Sequence, residues 1–573
     1  MKLLKIVLIF FFFSYIFSFT FTTSSDFTQD LGRHLKLGEI ILKTRSIPRV
    51  NLFSYTNSNF PFVNHHWLSE VIFYLSSKVF GLNFLIILKT ILILFSVGLI
   101  FKLAMEKGGI IPALVSGIIF SPFLLERNDI RPEIFGYLFF SIILYLLITY
   151  PKNRKIVYFL PLIMFLWVNI HISFIFGLFL ILLLILKTFW FLKTSKIKDL
   201  RSKIFFMLLS ILVLFLNPRG LNGLLYPFNI FQNYGYTIVE NQNIFYLRSM
   251  IFNPILNYFF FVLPLLLIVV ILLLWFNQII EALLLTILSM AVIFQWRHLP
   301  FLVLAAIPFT SFVLSKLVVK RIKTKEIFYL SSLILGLVML VGTIFFASNK
   351  YYLIFGKDKM FGLGYVNPGS RAVDFIEKNK LEGNIFNNFD IGGFLIYRLY
   401  PQYQFFIDNR PEAYPADFVE NIYKKLQIDV DFRKKIFEKF KINTIVFSYT
   451  DQTQWGEAFL RAIFQDQEWH LVSIDRSLIV LTRNDKFKDL RKTNNYLINI
   501  IKEEDNYLEL LYLSKLFSMM ELDNLAGEAF DKSVAINGDS CSAKRALEKK
   551  YLQRIDFYSF KERDLRKNAW YCF

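Results

Sequence analysis

Residues 30–74 read DLGRHLKLGEIILKTRSIPRVNLFSYTNSNFPFVNHHWLSEVIFY and stand between two apolar runs, 4–22 and 83–101. A bilayer core is crossed by about 20 consecutive apolar residues, so this stretch belongs to a connection, 23–82, between two membrane spans. It is far longer than two packed spans need, and long connections that are not low-complexity usually carry function. Working outward, further apolar runs fall at 109–125, 133–150, 156–170, 172–190, 203–217, 256–275, 278–295, 299–316 and 327–347, which predicts about eleven spans. The first run begins with Lys2 and Lys5 but has no small-residue cleavage site, so it reads as a retained anchor.

Composition agrees. Of 573 residues, 55% are hydrophobic, 67 are Phe and only 19% are charged, against about 25% charged in soluble domains. A water-soluble globule is excluded. The net charge of +20 would, in a soluble chain, point to nucleic acid. Here the basic residues cluster in alternate short loops: Lys102 and Lys107, Lys152 to Lys155, Lys187 to Lys203, Lys316 to Lys325. The positive-inside rule makes those loops cytoplasmic, so the charge is topogenic and no nucleic-acid partner is expected. With an odd number of spans, the N-terminus is cytoplasmic and everything after 347 lies outside, in a multi-pass protein of the cell membrane.

The candidate site residues all lie in outer segments. Asp30 and His34, with Asp26 four residues earlier, would share one face of a helix. A carboxylate beside the membrane can take a proton from an attacking hydroxyl or hold a divalent ion against a phosphate leaving group. A helix-capping acid on a solvated face is the bland alternative. Asn64, His65, His66 and Glu70 cluster around Trp67 in a chain with six histidines, and His66 and Glu70 have helical spacing. The segment ERNDIRPEIF sets Arg127, Asp129 and Arg131 among acids at a membrane boundary, where ion pairing competes with phosphate binding. Asn169 and His171 end one span, Arg219 and Glu240 share the loop 217–255, and Arg297 with His298 joins two spans. Such a pocket suits a lipid-linked phosphate whose tail lies between spans.

After 347 the pattern changes. Strand-like runs at Asn384–Phe389, Gln404–Asp408, Thr444–Ser448, His470–Ile474 and Leu478–Thr482 alternate with helical stretches, an α/β pattern. Asp408 and Arg410 close one run and read as an ion pair. From 487 an amphipathic helical hairpin of the tetratricopeptide kind follows; one hairpin makes no repeat array. The chain therefore divides into a membrane domain 1–347, an extracytoplasmic α/β domain 348–486 and a helical tail 487–573. The only two cysteines, Cys541 and Cys572, lie in that tail and are compatible with a bridge or with free thiols.

The stretch quoted first resembles the first outer loop of bacterial GT-C membrane glycosyltransferases, the superfamily that includes protein mannosyltransferases. Asp30, His34, Leu35, Gly38, Ile47, Pro48, Phe53 to Thr56, His65, Trp67, Leu68 and Glu70 match its pattern. The likeness continues through Arg131-Pro132, Asn169-x-His171, Asn217-Pro218 with Gly220, Glu240, and IFNNFDIGGFLIYRLYPQYQFFIDNRPEAY at 385–414. It covers about residues 1–485. It implies an α-helical polytopic membrane fold with an outer α/β domain, and transfer of a sugar, with inversion, from a polyprenyl-phosphate donor to a glycan, lipid or protein acceptor on the outer face. Asp30 falls on the family's loop-one catalytic carboxylate and Asp129 where a second acid often stands. Gly32-Arg33 replaces the two aromatics usual before His-Leu, which puts Arg33 within reach of the donor phosphate. Metal use varies across the superfamily, so the resemblance fixes no cofactor and leaves a divalent cation, Mg or Mn, open. The rival class is a lipid-linked glycan transporter or polymer-export component, yet the inverted repeats of transporters are not visible; a non-catalytic scaffold is a third. Turnover of a polyprenyl-phosphate sugar separates the enzyme from both.

Overall fold

The protein, seen in a computed structural model, is described at residues 2–24, 30–150, 154–192, 200–231, 233–318, 325–366, 369–538, 540–542 and 572. Six helices are long and apolar enough to cross a membrane: Lys2–Thr20, Asn83–Gly108, Ile110–Arg127, Pro254–Trp275, Trp296–Leu317 and Lys325–Ala347. Glu133–Thr149, Lys155–Ile170, Phe174–Phe189 and Ile279–Phe294 are apolar but shorter, and the run 203–217 is split between Leu200–Leu212 and a 3-10 turn. The expected eleven full-length spans are therefore not confirmed. A helix of about 16 residues is about 24 Å long, short of the ~30 Å hydrocarbon core.

Position within the bundle follows from which faces are apolar. Leu299–Val318 packs on Asn83–Gly108 and is buried on nearly every side, with Leu302, Ala305, Ala306, Phe309 and Val313 all enclosed. Lys325–Ala347 packs on Lys2–Thr20 at the edge. It leaves Leu333, Leu337 and Val341 exposed, a stripe at helical spacing suited to lipid. The buried ammonium of Lys89 donates to the Asn128 carbonyl at 3.1 Å, and Asn128 donates to the Phe19 carbonyl at 2.7 Å. These bonds tie the neighbouring ends of three apolar helices together.

Loop one folds into two packed helices, Leu31–Thr44 and Trp67–Phe80. Gly38 permits the contact, because a Cβ there would stand 2.2 Å from the Glu70 carbonyl oxygen. Asp30 precedes the first helix rather than lying within it, and Asp26 falls outside the described residues, so the expected shared face is not seen.

The part after 347, the outer domain of the sequence reading, holds four strands, β1 (Asn384–Asn387), β2 (Ile442–Ser448), β3 (His470–Asp475) and β4 (Leu478–Thr482), in the order β1-β2-β4-β3. β1 runs parallel to β2, while β4 is antiparallel to both its neighbours. β2 and β4 are buried almost throughout, as strands covered on both faces must be. The run Gln404–Asp408 is no strand of this sheet. Phe405 makes only isolated bridges, to Ser54 of loop one and to Ile385, because its backbone is shared between the two bodies. The helices Tyr507–Met519 and Asp523–Asn537 form the expected hairpin. They share a core with the sheet, where Leu510, Leu513, Phe517 and Ala526 pack with Phe447, Leu460 and Trp469. Cys541 and Cys572 are joined in a disulfide.

Candidate active site

Asp30 lies at the junction of loop one, the ends of the apolar helices and the domain that carries the four-stranded sheet. Its side chain makes no cap bond to the following helix, which leaves the carboxylate to other partners. Oδ1 accepts from Arg33 Nη2 at 2.8 Å and Nε at 3.2 Å, and from Asn409 Nδ2 of the outer domain at 2.9 Å. Oδ2 faces Arg131 Nη2 at 3.5 Å. Burial acts to raise the Asp30 pKa, but Arg33, Arg131 and His34 outweigh it and hold the carboxyl well below the usual range. Asp30 is therefore ionised at neutral pH, with Oδ2 its less encumbered oxygen.

Arg131 reaches from Asp30 to a second carboxylate, Glu240, pairing with Oε1. Glu240 Oε2 takes Arg127 Nη1 at 2.6 Å. Arg127 in turn grips Glu133 with two bonds, Nε to Oε1 at 2.8 Å and Nη2 to Oε2 at 2.7 Å, and Tyr137 donates to the same carboxylate at 3.0 Å. Arg297 donates to Asn241 at 2.9 Å. Burial again works to raise Glu240, and Arg127, Arg131 and Arg297 prevail and lower it. The outcome is an alternating chain, Arg33–Asp30–Arg131–Glu240–Arg127–Glu133. Two-oxygen, two-nitrogen pairing of this kind is what the guanidinium fork is shaped for.

A wall of imidazoles stands beside it. His34 Nδ1 lies 3.1 Å from Glu70 Oε1, whose other oxygen accepts from Asn64 Nδ2 at 2.6 Å. The His66 ring packs 5.3 Å from His34, 3.8 Å from His65 and 5.4 Å from His171. Glu70 thus meets His34 across the helix pair rather than His66 one turn back, because the Trp67–Phe80 helix starts after His66. Burial, with Arg33 and Arg297 adding to it, takes His65 down to about 3, so it is neutral at physiological pH.

Other expected residues hold loops. Arg219 donates to the carbonyls of Phe62 at 2.6 Å and Arg49 at 3.1 Å. Asn169 accepts from Trp67 Nε1 at 2.9 Å and donates to the Leu216 carbonyl at 3.1 Å. His298 pairs with Gln295 at 3.0 Å, and His171 Nδ1 lies 2.7 Å from Ser173 Oγ. Asp129 is bound to Lys359 in a separate cleft of about 310 Å³, lined also by Glu126, Tyr351, Tyr352 and Lys357. Its carbonyl accepts the Arg131 N–H at 3.0 Å, and the charges of Lys359 and Arg131 hold its carboxyl down against burial.

The sheet-bearing domain supplies the expected Asp408–Arg410 ion pair and, between its members, Asn409, which motif reading passed over. Asp408 and Arg410 pair at 2.7 and 2.8 Å. Arg410 also donates to Asn51 of loop one at 2.7 Å, with its guanidinium 4.8 and 4.7 Å from the Phe53 and Phe62 rings. That clamp fixes Asn409, the residue between them, against Asp30. Glu412 faces Arg33, and its burial pushes it up despite that cation.

A divalent ion needs several carboxylate or imidazole ligands directed at one point. Among the described residues no three His, Cys, Asp or Glu side chains converge in that way. The carboxylates of Asp30, Glu133 and Glu240 each hold guanidinium groups instead, so these residues do not fit a bound metal as they stand.

No family model matches the chain, and no curated protein does. Solved structures do. The archaeal oligosaccharyltransferase AglB from Archaeoglobus fulgidus, in complex with an inhibitory peptide and a dolichol-phosphate, aligns with a TM-score of 0.54 at 10% identity, covering 96% of this chain and 86% of that one. The Archaeoglobus fulgidus oligosaccharyltransferase in complex with Zn and sulfate aligns at 0.52, with 12% identity and coverage of 95% and 86%. ArnT from Cupriavidus metallidurans in the apo state gives 0.48, at 13% identity over 83% of this chain and 96% of that one. At these identities what the oligosaccharyltransferases share with this chain is the fold.

Proposed function

From a chain with the GT-C membrane fold, we propose an integral-membrane glycosyltransferase that moves a sugar from a polyprenyl-phosphate donor to a glycan, lipid or protein acceptor on the outer face. The observation that carries this reading is Asp30: an ionised carboxylate at the ends of the apolar helices, one oxygen fixed by Arg33 and Asn409, the other turned to a file of arginines.

In this reading the acceptor hydroxyl binds at Asp30 Oδ2. Its oxygen attacks the sugar C1 from the face opposite the phosphate, the C1–O bond to phosphate breaks with its electron pair going to the leaving polyprenyl phosphate, and Asp30 takes the hydroxyl proton. Inversion follows from a single displacement. A carboxylate with so low a pKa is a weak base, so proton transfer is late, as C1 parts from phosphate. Arg33 and Arg131, preorganised beside it, stabilise the charge growing on phosphate. The neutral histidines close one side of the pocket and can donate N–H bonds to sugar hydroxyls without competing for the proton.

Orientation belongs to the same proposal. Basic loops are retained on the cytoplasmic side, and a disulfide persists in oxidising compartments, so the Cys541–Cys572 bridge favours an outer tail.

The test is Asp30→Asn, assayed with purified protein, a polyprenyl-phosphate sugar and a membrane-extract acceptor, with products read by mass spectrometry. Transfer should fall by about 10²–10⁴-fold, the range for a lost general base, with the melting temperature retained. Wild-type turnover in the folded variant would remove the assignment.

A further inference from the structure

We infer that this site works without a divalent cation, and that the Arg131 guanidinium, fixed between Asp30 and Glu240, provides the positive charge that a metal would supply. The inference rests on the transferase reading and deepens it.

Asp30 and Glu240 face each other across Arg131, with Asp30 Oδ2 at 3.5 Å from one terminal nitrogen and Glu240 Oε1 paired with the other. The space between two carboxylates is where a cation would have to sit to be bound by both, and a permanently charged group is built into it from the chain. The remaining lone pairs are used as well. Asp30 Oδ1 holds Arg33 and Asn409, Glu240 Oε2 holds Arg127 at 2.6 Å, and Glu133 is taken by Arg127 and Tyr137.

Charge points the same way. Among the described residues four carboxylates (Asp30, Glu133, Glu240 and Glu412, which faces Arg33) meet four guanidinium groups (Arg33, Arg127, Arg131, Arg297), the last acting on Glu240 electrostatically. These guanidinium groups stand against the carboxylates before substrate arrives. A doubly charged ion within a few Å of Arg131 and Arg127 would be repelled by them, and it would first have to displace arginines whose side chains are mostly buried. An anionic donor phosphate is attracted by the same groups. Asn128, Asp129 and Lys359 offer no alternative site, because the Asp129 carboxylate is held by Lys359.

Arg131 therefore acts directly on substrate. As the C1–O bond breaks, the electron pair and its charge pass to the phosphate oxygen, and Arg131 shifts part of its hydrogen bonding from Glu240 to that oxygen. Glu240 keeps Arg127 throughout, so it is not left as a bare buried charge. No redox step or added reactant is involved.

Two measurements on the full-length detergent-purified protein decide it. The first is Mn²⁺ binding by electron paramagnetic resonance after chelator treatment. The wild type should show no stoichiometric bound ion at micromolar Mn²⁺; one ion per chain, released in Asp30→Asn, would overturn the inference. The second is turnover with EDTA present or with added Mg²⁺ or Mn²⁺. Rates should agree within about two-fold, while Arg131→Ala loses about 10²–10³-fold, the scale of a removed oxyanion donor. Arg131→Lys should recover part of that loss, and added metal none. A ten-fold loss on chelation, restored by metal, would overturn the inference and leave the transferase reading standing. A wild type with no turnover under any ionic condition would sink the transferase reading, and the Mn²⁺ measurement would still decide the metal question.

Discussion

At the scale of single residues, the site is a contest between burial and fixed charge, and the winner differs from one carboxylate to the next. Asp30 and Glu240 have arginines against them and stay ionised. Asp390, in the turn before Gly392 and Gly393, has Tyr236 and Asp451 as its neighbours instead. Burial and the neighbouring Asp451 push it up to about 7, against the pull of a hydrogen bond with Tyr236. The consequence has a definite sign. Between about 3.9, the ordinary carboxylate value, and about 7, the folded protein holds a proton that the unfolded chain has released. Stability therefore declines as pH rises through that window. The melting temperature of the wild type should drop from pH 5 to pH 8 by more than that of Asp390→Asn, and equal slopes would show that Asp390 does not titrate there. Residue types at Asp30, Arg33 and Arg131 were legible because each is a charge at a membrane boundary. Asn409 was not: it is an uncharged side chain 379 positions from its partner, and only the fold brings the two together. The hint lay in the unread middle position of Asp408-x-Arg410.

At the scale of elements, what matters is how closely backbones approach. The loop-one helix Leu31–Thr44 rests on the helix Gly392–Leu399 of the outer domain. A Cβ on Gly32 would lie 2.5 Å from the Gly393 carbonyl oxygen, and the obstacle is backbone on both sides, so neither can swing away. Gly32→Ala should part the two helices and stretch the Asn409–Asp30 bond. A shift on the order of 1 Å at a catalytic group can cost about 10²-fold in rate, so turnover should fall by at least ten-fold while the protein still purifies as a monodisperse species. Unchanged turnover would mean that the close approach is dispensable. Sequence pattern found the α/β domain because its runs alternate with regular period, while in loop one it gave only helical spacings, at Asp30 and His34 and at His66 and Glu70. It failed at Gln404–Asp408, where the alternating pattern of a strand serves a segment shared between loop one and β1. It also could not settle the shorter apolar helices, since apolar character reports burial in lipid and burial in protein alike.

At the scale of the whole molecule, one continuous core runs from the spans through loop one into the outer domain, with Leu31, Leu35 and Phe53 packed among Phe394, Leu395 and Phe405. A boundary drawn at 347 from composition marks where the lipid-facing surface ends rather than where packing ends. The helical tail likewise shares the sheet's core, because helices with one apolar face must bury it somewhere and the nearest apolar surface is the outer domain. Spans, loop one, outer domain and tail consequently form one continuous chain of contacts, so fixing the side of the membrane on which the tail lies also fixes the side of Asp30. Cys541 and Cys572 make that measurable, being the only thiols in the chain and paired in the fold. A membrane-impermeant maleimide should label right-side-out vesicles only after reduction, and inside-out vesicles not at all unless they are opened with detergent. Labelling of sealed inside-out vesicles would place the tail, the outer domain and Asp30 in the cytoplasm. That would contradict the outer-face reading at its root, since the arginine file would then face a compartment in which the basic loops were expected instead.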